Sequence, residues 1–215
     1  SFLARLVPPP AHAERSTGPA VPKSVADLAR RLPIERKVAQ LFVVGFNGTD
    51  TTADIFGRLA RLDLGGIVLG ASNYVDPSQL GTLANQAATV AREQRHVPPW
   101  VFASQEGGDL NSFPDLPPSA APAELTSARE AAAGARDSAN SLRALAINAV
   151  LGPVVDVGGS EAGSALGSRV YSDDPQEVAA YADAVVRAYR DEHVFSAVAH
   201  FPGLGATDQS TQDGP

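Results

Sequence analysis

Short apolar runs alternate with longer amphipathic segments along most of this chain. The runs 41–46 (Leu-Phe-Val-Val-Gly-Phe), 66–70 (Gly-Ile-Val-Leu-Gly), 100–103 (Trp-Val-Phe-Ala), 149–157 and 196–200 (Ser-Ala-Val-Ala-His) read as strands. Their length, and the lack of strict polar alternation, fits strands buried on both faces. Between them, helical spacing predicts helices over 24–32, 34–40, 53–62, 76–95, 126–145 and 174–191. Ser24 is expected to cap the first. Asp76-Pro77 and Asp174-Pro175 each place a capping carboxylate before a proline suited to the first turn.

Strand followed by helix, repeated about five times, is a βαβ pattern and implies a parallel sheet. Right-handed crossovers allow a doubly wound sheet or a (β/α)8 barrel, and periodicity does not choose between them. Polar groups cluster just after successive strands: Asn47-Gly48, Ser72-Asn73, Ser104-Gln105-Glu106, Asp156 and His200. In a barrel these positions converge on one mouth. Alternatively, they are simply where the chain turns.

Composition narrows the partners. With 17 basic and 24 acidic residues the net charge is −7, which argues against nucleic acid or an anionic membrane as the main partner. The absence of cysteine excludes disulfides and thiolate metal sites. The histidines (His12, His96, His193 and His200) show no metal-ligand spacing, and no cofactor is expected. Residues 1–23 form a Pro/Ala-rich leader in which Ala11-His12-Ala13 has the small-x-small form of a signal-peptidase site. It reads either as a remnant of an export signal or of a membrane anchor upstream of residue 1, or as a disordered leader. No apolar run approaches the ~20 residues that span a bilayer.

Six segments, in order from about residue 24 to residue 215, carry a family resemblance. They are 32–46 (Leu-Pro-Ile-Glu-Arg-Lys-Val-Ala-Gln-Leu-Phe, then Val44-Gly45-Phe46), Gly65-Gly66-Ile67-Val68-Leu69, Gln105-Glu106-Gly107-Gly108, Leu151-Gly152-Pro153-Val154-Val155-Asp156-Val157, 167–175 around Arg169, and His200-Phe201-Pro202-Gly203. Together they resemble the N-terminal domain of glycoside hydrolase family 3, in particular its bacterial β-N-acetylglucosaminidases. The resemblance implies a TIM-barrel-like (β/α)8 fold over residues 24–215, with only about five β/α units present here.

The resemblance also implies an acid/base pair, an Asp and a His on the loop after the fifth strand. Those positions are Ser210 and Gln212 here. A serine hydroxyl cannot support an imidazolium, and an amide does not titrate near neutral pH. Asp208 and Asp213 would substitute only if the loop shifted. Positions where the family grips sugar hydroxyls have changed too: they hold Ser72, Ser104, Asp109 and Ala199. The family nucleophile, an aspartate, belongs to a later strand outside these 215 residues.

Four candidate sugar-binding groups are retained: Glu106, Asp156, Arg169 and His200. Each has a structural alternative. Glu106 could bond backbone, Asp156 could be structural, Arg169 could pair with either carboxylate, and His200 could be a packed, satisfied imidazole. The reading adopted is a catalytically inactive family-3-like domain, bacterial and extracytoplasmic or envelope-associated. Its binding or regulatory role would be toward GlcNAc-type sugars of peptidoglycan or toward an envelope protein. Two others stay open: an active β-N-acetylglucosaminidase with its nucleophile in further sequence, and a scaffold with no sugar ligand.

Overall fold

The computed structural model describes residues 20–158 and 165–204. Most of the leader, and the loop holding Asp208, Ser210, Gln212 and Asp213, lie outside the described residues.

Helices α1 (Lys23–Arg31) and α2 (Ile34–Ala39) lead into five units: β1 (Val43–Gly45) and α3 (Asp54–Arg61), β2 (Gly66–Leu69) and α4 (Pro77–Gln94), β3 (Trp100–Ser104) and α5 (Ala128–Ala144), β4 (Ala149–Val154) and α6 (Pro175–Asp191), then β5 (Phe195–Ala199). All neighbouring strands are parallel, and their spatial order is their order in the chain. That order decides between the two architectures. A doubly wound sheet reverses direction at a switch point and puts helices on both faces. Sequential order with right-handed crossovers puts every connecting helix on one face, as in an arc of a (β/α)8 barrel.

Side-chain parity agrees. One row, Val44–Ile67–Val101 and then Leu69–Ala103–Val150, faces the helices. Ile67, Leu69 and Val101 pack with Ile55, Leu59, Leu80 and Leu83 of α3 and α4. Val150 packs with Ala131, Ala135 and Ala139 of α5 and Val185 and Tyr189 of α6. The opposite row forms the inner face. There Trp100 and Phe102 of β3 meet Phe195 of β5, with ring centroids 5.1 and 6.1 Å apart. Ala149 of β4 stands between Phe102 and Phe195 in the register, and its small side chain lets rings from non-adjacent strands touch. Trp100, Leu151 and Phe195 stay 37–48% exposed on this face.

The capping expectations fare unevenly. Asp76 and Asp174 accept from the backbone N–H of Gln79 and Gln176. Ser24 does not cap α1: the helix begins at Lys23, Pro22 is its N-cap, and no side chain bonds the first turn. Proline's fixed φ sets the entry there instead. The strand expected over 41–46 contracts to Val43–Gly45, because Leu41 and Phe42 turn back to bond carbonyls of α2.

Candidate functional site

Glu106 lies two residues beyond β3, Asp156 two beyond β4, and His200 directly after β5. Arg169 ends a 3-10 turn (Gly167–Arg169) in the β4–α6 connection. Because the strands are parallel, all four sit at the same, C-terminal end of the sheet, where barrels carry their sites.

The local backbone explains these placements. Gly107 has φ +105°, and a Cβ there would come within 2.2 Å of the Ala120 carbonyl oxygen. Only glycine lets this turn press against the 120–121 backbone. Gln105 is 2% exposed; its amide donates to the carbonyls of Phe113 and Leu116 and accepts from the Phe113 N–H. Gln105 therefore holds the loop, while Glu106 points elsewhere. Between β4 and β5 the register slips after Leu151 and resumes at Val154, which is paired with Ala199. Asp156 then comes beside His200.

Asp156 organises the segment after β5. Its Oδ2 accepts from His200 Nδ1 at 2.7 Å and from the His200 N–H at 3.2 Å, and its Oδ1 accepts from the Leu204 N–H at 2.5 Å. Its side chain is wholly buried, while that of His200 remains 29% exposed. A carboxylate can only accept, so Nδ1 carries the hydrogen and Nε2 is left for other partners. Gly203 has φ +132°, and a Cβ there would sit 3.2 Å from Asp156 Oδ1. The His200-Phe201-Pro202-Gly203 motif thus folds around this carboxylate.

Glu106 is held less completely. Arg169 Nε stands 3.4 Å from Glu106 Oε2, an ion pair too poorly aligned to be a hydrogen bond. That oxygen is buried and accepts none. Burial pushes the Glu106 carboxyl above its ordinary range, and Arg169 and His200 pull the other way. The two alternatives left open for Arg169 resolve toward Glu106, and the backbone bond considered for Glu106 is absent at Oε2.

The mouth positions after β1 and β2 are structural. Asn73 is 1% exposed; its amide donates to the carbonyls of Phe46 and Gly48 and accepts from the Gly70 N–H. It ties the first two loops together and has little left for a ligand. Asp109 is exposed on the 3-10 turn Gly108–Leu110.

Comparison with known proteins places this geometry. The profile described as "Glycosyl hydrolase family 3 N terminal domain" matches residues 33–214. The chain belongs to glycoside hydrolase family 3. Among relatives of this family 3 domain, the beta-hexosaminidase LpqI of Mycobacterium bovis is 29% identical over 202 residues, covering 90% of this chain and 50% of that protein. A beta-hexosaminidase of Xanthomonas oryzae pv. oryzae is 32% identical over 181 residues, covering 80% and 52%. A solved family 3 β-N-acetylglucosaminidase from a Paenibacillus species superposes with a TM-score of 0.76 at 30% identity, covering 83% of this chain and 35% of that one. The chain spans about half the length of the curated relatives it matches. The TIM-barrel-like fold and the kinship to bacterial β-hexosaminidases are therefore established.

Proposed function

We propose that this family 3 domain binds an N-acetylglucosamine-type sugar at the mouth formed by β3, β4 and β5 without hydrolysing it. The observation that carries the reading is an asymmetry at one site. The binding groups Glu106, Arg169 and His200 are assembled at one end of the sheet, with the candidate Asp156 buried and saturated behind His200 as its positioning group. The positions matching the family's acid/base pair hold Ser210 and Gln212. Retaining hydrolysis needs a titrating acid/base and a nucleophile about 5–5.5 Å apart, whereas binding needs only oriented donors and acceptors. His200 Nε2 offers a hydrogen-bonding partner for a sugar hydroxyl, and Arg169 supplies donors able to make charge-assisted bonds. The leader with its Ala11-His12-Ala13 signal-like site supports a place at the cell envelope, where peptidoglycan sugars are the natural ligands.

A second reading, a working β-N-acetylglucosaminidase, is favoured by the relatives, which are named as hexosaminidases and are about twice as long. Calorimetric titration of the full-length protein with GlcNAc tests the binding claim. Saturable binding that Arg169→Ala weakens at least tenfold is expected; heat that Arg169→Ala leaves unchanged contradicts it.

A further inference from the structure

A cavity of about 240 Å³ lies on the helix side of the sheet, between α5, α6 and β4. Ala131, Gly134 and Ala135 of α5, Val150 of β4, and Val185 and Tyr189 of α6 line it. Tyr171, Pro118, Pro122, Gln105, Leu125 and Glu130 also line it. Glu106, the partner of Arg169, belongs to both this cavity and the sugar cluster, whereas Arg169, Asp156 and His200 do not line the cavity. Its origin is in the sequence. The buried face of α5 near the cavity is mostly alanine (Ala131, Ala132, Ala135, Ala139), whereas α3 and α4 bury Ile55, Phe56, Leu59, Leu80 and Leu83. Small side chains on one helix leave space that their neighbours cannot fill.

Glu106 gives the cavity its polar character, for it also lines the space. Its Oε2 is buried without a hydrogen-bond partner. An apolar cavity of ~150 Å³ already holds benzene, and water needs two to four polar partners to settle in one. Its inner wall of methyl groups and two tyrosine rings suits an apolar body, and the buried Glu106 carboxyl, with Glu130 toward the exposed rim, suits a hydrogen-bond donor on that body.

We infer that this cavity is a second binding site, for a small apolar molecule the size of phenol or indole whose single donor meets Glu106. The site shares Glu106 with the proposed sugar cluster but lies on the other face of the sheet. The test uses the full-length protein with labelled alanine and valine methyl groups. Phenol, indole and toluene (the same ring without a donor) are titrated separately and followed by NMR. Phenol and indole are expected to shift the methyls of Ala131, Ala135, Val150 and Val185 saturably. Toluene should bind about tenfold more weakly, the loss expected for one hydrogen bond to a carboxyl group. Ala135→Leu, which fills the space, should abolish binding, and Ala131→Val serves the same end if the first variant does not fold. Absence of saturable shifts, or shifts confined to the inner face around Trp100 and Phe195, overturns the inference. Toluene binding as tightly as phenol overturns the role of Glu106, and so does undiminished phenol binding by Glu106→Leu.

Discussion

At the floor of the sheet Asp63 is buried between α3 and β2, with no side-chain exposure. Its Oδ2 accepts from Arg36 Nε at 2.7 Å and lies 2.5 Å from Arg36 Nη2. Its Oδ1 accepts from the Gln40 amide at 3.0 Å and the Val97 N–H at 2.9 Å. Residues entering β1, β2 and β3 are thereby tied to one carboxylate. At the mouth Glu106 is 20% exposed, and one of its oxygens accepts no hydrogen bond. The two acids flank opposite ends of the same sheet: Asp63 is fully buried and saturated with donors from the chain, whereas Glu106 is partly exposed and, among the described residues, one of its oxygens accepts none. A saturated buried carboxylate is a structural element. An unsaturated one retains capacity for something the chain does not supply.

Breaking the floor is the largest perturbation. Asp63→Ala removes the carboxylate that pairs with Arg36 and accepts from the Val97 N–H, although Gln40 keeps its bond to the residue 63 carbonyl. Loss of a buried partner of this kind costs about 3 kcal/mol. Urea unfolding should show it; a loss below about 1 kcal/mol would mean that the floor is not the anchor its geometry suggests. Asp156 is intermediate, a mouth residue saturated like a floor residue. Asp156→Ala should cost about 2 kcal/mol through three lost acceptor bonds. It should also speed hydrogen exchange at the His200 and Leu204 amides, while exchange at Val97 stays as it was.

Asp76 caps α4 at the mouth end but belongs to no binding cluster. Asp76→Ala should cost about 1 kcal/mol and leave GlcNAc binding unchanged. A binding defect there would blur the division between structural and ligand-facing groups. Glu106→Gln should have the smallest effect on stability, and with the opposite sign. Because burial raises the folded carboxyl above its unfolded value, its stability is complete below about pH 4.3 and is lost as pH rises through the folded value. The Gln variant should therefore be the more stable protein at pH 7, with an advantage that vanishes near pH 4. Parallel urea titrations at the two pH values check this, and a variant less stable at pH 7 would show that the Arg169 contact outweighs burial.

Much of the scaffold was legible because it is local. The four strand–helix units and the fifth strand follow from apolar runs and helical spacing, and Asp76-Pro77 and Asp174-Pro175 mark their helices by adjacent residues alone. The floor was not legible. Arg36 and Asp63 are 27 residues apart, Asp63 and Val97 are 34 apart, and neither pair leaves a periodic trace. The strand order that excludes a doubly wound sheet is likewise a property of the fold, anticipated only through the family resemblance. At the mouth, the four retained residues were found through that resemblance. Their pairing is a property of the fold: His200 meets Asp156 through the β4–β5 register slip, and Arg169 meets Glu106 where the β4–α6 connection approaches the loop after β3. The alanine-rich face of α5 was visible in the sequence, but the cavity beside it depends on what α6 and β4 place opposite.

Binding without turnover is the central claim, and one paired measurement tests it. The full-length protein would be incubated with an aryl β-N-acetylglucosaminide while GlcNAc binding is followed on the same preparation. The account predicts saturable binding and no release of the aryl group above the uncatalysed rate. Release of the aryl group that disappears on mutating Asp208 or Asp213 would contradict it and establish a working glycosidase.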